Sequence, residues 1–267
     1  MILPEHRSQK WKPLLGTVRC SFFERAHRLA PTGGPRQRNL GPRFKHDALV
    51  RLTLAGAFWL AALPSGAQPS REVRGAPTGA FDFYVLSLSW SPGFCETSGS
   101  AGGREQCRAG SGLGFVVHGL WPQNEQGYPS FCEPGGRFVP RAAVEEVRGL
   151  FPDDNLARYQ WRKHGTCTGE SPSGYFGAVQ RARDRVRIPD GFANLAAGSK
   201  VMPTEIERAF AAANPGLRPD MIAISCGRRI LQEVRVCLDR DLRGFRPCAE
   251  VDQAGCRAGE VTIPAVR

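Results

Sequence analysis

The chain has 267 residues, 41% of them hydrophobic, and a formal net charge of +11, a length that suits one large domain or two small ones. The charge is unevenly placed, with 11 Lys/Arg against 3 Asp/Glu up to Ala67 and 25 against 22 from Gln68 onward. Net charge alone is therefore no argument for a nucleic-acid partner. Residues 1–48 are Arg-rich, broken by clusters such as Pro31-Thr-Gly-Gly-Pro35, and show no sustained hydrophobic period; they read as a non-structural extension or a misplaced start. With no methionine between Met1 and Met202, a start near Leu49 or Val50 is expected. Arg51 then precedes the apolar run Leu52–Leu63, which closes in Ser65-Gly66-Ala67, so residues 49–67 read as a secretory signal peptide. Residues 68–79 read as a short linker and 80–267 as one catalytic domain.

Phe81 to Trp90 alternates as a strand, with Phe83, Val85, Ser87 and Ser89 on one side and Tyr84, Leu86, Leu88 and Trp90 on the other. Pro92 should end it, and a Gly/Ser-rich loop should run to Gly112. Gly114 to Leu120 reads as a second strand ending at Pro122, its period placing Val116, His118 and Leu120 on one face. Gln123, Gln126 and Tyr128 fall in the following loop, before Cys132. Arg141 to Leu150 has helical spacing, stopped by Pro152. If the next stretch is helical up to Gly165, Gln160, Lys163 and His164 share one face, while Trp161 points to a core.

Ser171 caps a helix with Pro172 at its first position and Tyr175, Val179, Ala182 and Val186 on its apolar face. The run Arg181, Arg183, Arg185, Arg187 then reads as a solvated face. Thr204 to Glu207 reads as a capping box before Ile206–Ala213. Met221–Ser225 and Ile230–Leu238 read as strands, and a loop-rich tail begins at Asp239. The expected fold is α+β: a single domain with a central antiparallel β-sheet flanked by helices and stabilised by disulfides.

Past Cys20, eight cysteines remain, an even number that behind a signal peptide indicates disulfides in an oxidising compartment. No Cys-x-x-Cys pair occurs and only two histidines remain to help, so no metal site is expected. Eight cysteines allow about 105 pairings. Spacing suggests Cys95–Cys107 around the early loop and a nested set near the C-terminus.

The two histidines outside the first quarter, His118 and His164, occupy Phe115-Val-Val-His-Gly-Leu-Trp-Pro122 and Tyr159-Gln-Trp-Arg-Lys-His-Gly-Thr-Cys167. Each precedes a glycine and has a tryptophan three residues away. A pair of imidazoles suits a reaction that takes a proton from one oxygen and gives one to another. A flanking Lys163 would offset charge on a phosphorane-like transition state. RNA cleavage through its own 2′-hydroxyl needs this equipment and no cofactor.

The His-Gly-Leu-Trp-Pro and Trp-x-Lys-His-Gly-Thr-Cys segments, with the Ser-Trp-Ser-Pro strand end, resemble the ribonuclease T2 family over about Phe81 to Cys256. The resemblance implies His118 as general acid, His164 as general base and Lys163 as the stabiliser of the phosphorane. It implies a 2′,3′-cyclic phosphate product, then a 3′-phosphate, from single-stranded RNA, with DNA inert. Trp121 would line a base site with Gln123 and Tyr128, although Trp121 could equally be core. The implied bridges are Cys132–Cys167, Cys226–Cys256 and Cys237–Cys248 beside Cys95–Cys107. Gly119 and Gly165 read as turn formers beside each histidine.

Two positions depart from the family: Gln160 stands where Glu is usual, and Tyr159 where His is frequent. Gln160 keeps an acceptor and gains a donor but loses charge, so reduced or retuned activity is expected. The rival readings are a secreted RNA-binding relative without catalysis and a disulfide-rich adhesion module. The leading expectation is an exported, periplasmic or secreted, monomeric endoribonuclease, with no membrane association after signal cleavage.

Overall fold

The computed structural model describes residues 71–98, 104–132, 136, 138–192 and 199–266, all within the compact unit Ala62–Arg267. The expected extension and signal peptide lie outside the described residues. Among those described, no helix is long and apolar enough to cross a membrane.

The fold is α+β, built on β2 (Phe83–Trp90), whose β-branched and aromatic residues are buried throughout. It pairs antiparallel with β3 (Phe115–Gln123) on one side and β7 (Ile230–Leu238) on the other. Beyond β7, the sheet continues through β8 (Val261–Ile263) to β5 (Ser199–Val201), and β6 (Ile222–Gly227) forms a hairpin with β7. The ladders are antiparallel except for the single β7–β8 contact at Ile230 and Thr262. The hairpin turns at Arg228 and Arg229, both with positive φ (52° and 63°), the left-handed pair of a tight two-residue turn.

The alternation of β2 sorts the molecule into two sides. Tyr84, Leu86, Leu88 and Trp90 join Val234, Val236 and Leu238 in the main core. α4 (Pro172–Arg185) covers this face with Tyr175, Phe176, Val179 and Ala182, and the Tyr175 hydroxyl donates to Leu120 O at 3.0 Å. Ser171 caps α4 by accepting from Gly174 N at 3.1 Å. The other face holds a small cluster of Phe83, Val85, Ala223, Cys237, Cys248 and Val251, with Trp121 packed on it.

Several expected boundaries move. β3 runs through Pro122 to Gln123; it is an edge strand, where the missing N–H costs no ladder bond. The helix expected over Arg141–Leu150 is only α2 (Arg141–Glu145). Beyond it the chain tightens into turns, with Gly149 at φ +84°, and Leu150 O accepts from Val117 N at 2.9 Å on the open side of β3. α5 (Pro203–Ala213) begins one residue before the expected capping box, and Glu205, not Glu207, accepts the Met202 N–H.

Two short helices fall in stretches expected to be loop: α1 (Ser91–Thr97), with Pro92 in its first turn, and α6 (Ala249–Gln253). In the expected linker, Glu72–Arg74 forms β1, paired in parallel with β4 (Tyr128–Ser130). The bridges are Cys95–Cys107, Cys132–Cys167, Cys226–Cys256 and Cys237–Cys248.

Candidate active site

The site lies on the smaller-core face, where β3 meets α3 (Asp154–Lys163). α3 starts cleanly because Asp153 accepts from Leu156 N at 2.8 Å and Asp154 sits in the positive first turn. Its last turn carries Arg162 and Lys163, and His164 is the C-terminal cap, at φ −119° and ψ −42°. Phe131 N donates to Lys163 O at 2.8 Å, and the Cys132–Cys167 bridge closes the same junction. The helix end that presents Lys163 and His164 is thus held by a covalent tie and a backbone hydrogen bond.

On β3, strict alternation would put His118 with Val116 and Leu120, and the structure overturns that expectation. Ser87 pairs with Gly119 and Leu88 with Val117, so His118 is the extra residue of a β-bulge. The bulge resets the alternation, sending Val117 and Leu120 to the main core and His118 to the face of Trp121.

Both imidazoles contact one indole, that of Trp121. His118 meets Trp121 edge-on at 5.3 Å between centroids, and His164 stacks on it at 5.4 Å and 29°. Trp121 Nε1 donates to Gln160 Oε1 at 2.9 Å, which fixes the ring. A cavity of about 420 Å³ collects His118, Trp121, Gln123, Tyr128, Tyr159, Gln160, Lys163, His164 and Arg235. The structure therefore brings all seven predicted site residues into one cleft.

Their roles in the packing differ. Gln160, 1% exposed, anchors Trp121. Gln123 Nε2 donates to Gly127 O at 3.1 Å. Lys163 Nζ lies 5.8 Å from the Tyr128 ring and 4.0 Å from Glu72 Oε1 on β1. Trp161 is core, its Nε1 donating to Gly136 O at 2.6 Å.

Gly119 and Gly165 are not turn formers with positive φ. A Cβ on Gly119 would fall within 3.0 Å of Gln160 Oε1 and Trp121 Nε1, and one on Gly165 would strike Trp161. Both glycines are close-approach residues.

The electrostatics separate the two histidines. His164 is 4% exposed, and its pKa is held well below the ordinary 6.5 by burial first, then by Lys163 and His118. It is thus a neutral imidazole near pH 7, and its Nδ1 is buried without a hydrogen-bond partner among the described residues. His118 is bonded through Nδ1 to Glu233 Oε1, while Arg235 donates to Glu233 Oε2 from Nε at 2.9 Å and Nη2 at 2.8 Å. Burial alone would raise the Glu233 pKa, but the hydrogen bond and charge of His118, with Arg235, outweigh it and hold the carboxyl at about 2.

Sequence reasoning missed Glu233, Arg235 and the cleft-lining Glu250. The signal for the first two was available: charged residues at alternate positions, facing opposite to Val234 and Val236 in a central strand. Glu250 lies on the unpredicted α6; its Oε2 accepts from Gly127 N at 2.7 Å.

A profile of the ribonuclease T2 family matches residues 81–248. The chain belongs to the ribonuclease T2 family. It is 36% identical over 176 residues to a ribonuclease of Aeromonas hydrophila, covering 64% of this chain and 78% of that protein. It is 27% identical over 203 residues to ribonuclease I of Escherichia coli, covering 58% and 76% of the two chains. Among solved structures, it is similar in fold to trichomaglin, an S-like ribonuclease (TM-score 0.56, 24% identity, 70% of this chain and 99% of that one). RNase NT in complex with 5′-AMP is a second such neighbour (TM-score 0.55, 18% identity, 69% and 98%). This T2-family protein is accordingly an endoribonuclease, and His118 and His164 both line its cleft.

Proposed function

We propose that this ribonuclease cleaves single-stranded RNA by transphosphorylation, with His164 as base and His118 as acid. His164 takes the 2′-hydroxyl proton, O2′ attacks phosphorus, and the P–O5′ bond breaks as His118 delivers a proton to O5′. The products are a 2′,3′-cyclic phosphate and a free 5′-hydroxyl; water, activated by the reverse assignment, then opens the cycle to a 3′-phosphate.

The observation that carries the reading is the asymmetric pair around Trp121: one imidazole kept neutral by burial, the other hydrogen-bonded to a carboxylate. A neutral imidazole can accept a proton at pH 7, and a carboxylate bonded to Nδ1 of the other orients that ring so that Nε2 meets the leaving oxygen. Lys163 and the Gln160 amide face the developing negative charge on the equatorial oxygens. Trp121, Gln123 and Tyr128 form the base site, with aromatic rings for apolar contact and an amide for edge contacts. DNA is inert in this scheme because it lacks the nucleophile.

We also place the protein outside the cytoplasm, on the strength of the signal-peptide pattern over 49–67 and four disulfides. The deciding experiment incubates the purified protein with RNA in EDTA and resolves the ends formed. Cyclic phosphates and 5′-hydroxyls are the expected outcome. Binding without cleavage would leave an RNA-binding protein, and loss of cleavage in chelator would overturn the metal-free scheme.

A further inference from the structure

We infer that Glu233 is a positioning residue for His118, and that Arg235 holds Glu233 in turn. This rests on the assignment of His118 as general acid. His118 stands on β3 and Glu233 on β7, two strands that do not touch, because β2 lies between them. Two strand spacings are about 9–10 Å, a gap that two side chains can close only if both lean over the intervening strand.

Two features permit this. The bulge turns His118 out of its expected face. The β2 residues opposite Glu233 and Arg235 are Ser89 and Ser87, whose small side chains leave room above the sheet. The result is a hydrogen bond between Nδ1 and Oε1 across β2.

The carboxylate is fully used. Oε1 takes the imidazole and Oε2 takes the guanidinium fork, and the side chain is only 11% exposed, against 35% for His118. Glu233 is therefore shielded from substrate and acts through its partner. A carboxylate at Nδ1 selects the tautomer that carries hydrogen there and leaves Nε2 as the nitrogen that serves the leaving oxygen. Arg235 stops the carboxylate from rotating away and lies 5.4 Å from the Trp121 ring, which meets His118 edge-on. Imidazole, carboxylate, guanidinium and indole form a closed ring of contacts around the acid.

The test exploits the leaving group. Glu233→Gln keeps the shape but removes the charge. On RNA its kcat should fall roughly 10–100-fold while KM moves less than about threefold, the usual scale for an orienting partner. On a uridine 3′-(p-nitrophenyl phosphate), whose leaving group departs without a proton, the same variant should lose less than about threefold. Adding Glu233→Gln to His118→Ala should cost nothing more on RNA.

Equal losses on the two substrates, or an additive loss in the double variant, would overturn the inference, as would an unchanged kcat on RNA. Thermal unfolding of each variant verifies the fold; if the glutamine variant does not fold, Glu233→Asp replaces it in the same comparison. Absence of RNA cleavage by the unaltered protein would sink the functional reading instead, so the two failures are distinguishable.

Discussion

Gly119 lies directly beneath the hydrogen bond from Trp121 Nε1 to Gln160 Oε1, and no side chain fits there. Gly119→Ala should force the indole and amide apart, at a cost of about 1–3 kcal/mol in stability for the overpacking. It should cost activity as well, because Trp121 contacts both imidazoles. Chemical denaturation beside kcat/KM on RNA measures both; a stable, fully active variant would mean the contact is slack.

Gln160 makes a second prediction. The His164 pKa lies below 6.5, so the acid limb of the kcat/KM profile should fall below 6.5. Gln160→Glu places a negative charge one helical turn from His164, which opposes burial and raises its pKa, moving that limb to higher pH. An unmoved limb would show that His164 is not the base or that position 160 does not sense it. Gln160, Lys163 and His164 were legible because helical spacing alone groups them. His118 was legible as a residue type but not in its facing, since one extra residue in β3 reverses every later side chain. Glu233 was legible only as a charge alternating with Arg235 in a central strand, because the partner that explains its burial, His118, lies two strands away.

At the scale of elements, the Cys132–Cys167 bridge spans 35 residues and joins the end of β4 to the turn after α3. Replacing both cysteines with alanine should cost about 3–4 kcal/mol by loop-closure entropy, read as a lower urea midpoint. RNA cleavage should also weaken below the melting temperature, because the same junction carries Lys163 and His164. An unchanged midpoint would mean the backbone contacts suffice. β2, β7 and α4 were readable because each has a sustained period and a clear cap or turn. α1 and α6 were not, as neither has enough turns to show one; tertiary contact holds them. A Cβ on Gly93 of α1 would run into Leu231 O, and α6 packs Val251 into the smaller core. β1 was lost for a similar reason: three residues pair only because β4 lies beside them.

For the whole molecule, the buried ionisable groups set how stability should respond to acid. The folded-state pKa of His164 is below 6.5, so the unfolded chain binds its proton first and stability starts to fall as pH drops through 6.5. Glu233 sits at about 2 against 4.5, so its contribution is complete above 4.5 and is lost as pH falls from 4.5 towards 2. Glu207 and Asp252 act in the opposite sense: burial raises both, with Asp252 adding to Glu207 and Asp220 to Asp252, so protonating them on acidification favours the fold. Both are partly solvated, which weakens that opposition. The four disulfides contribute at every pH in this range and keep the chain folded while the ionic terms are withdrawn. Melting temperature should therefore decline in two stages on acidification, one below 6.5 and one below 4.5. His164→Gln should flatten the first stage and Glu233→Gln the second, each leaving the other in place. A single acid transition that both variants leave unchanged would assign acid sensitivity to groups outside the cleft, and with it remove the premise that the active-site charges are bound into the stability of the fold.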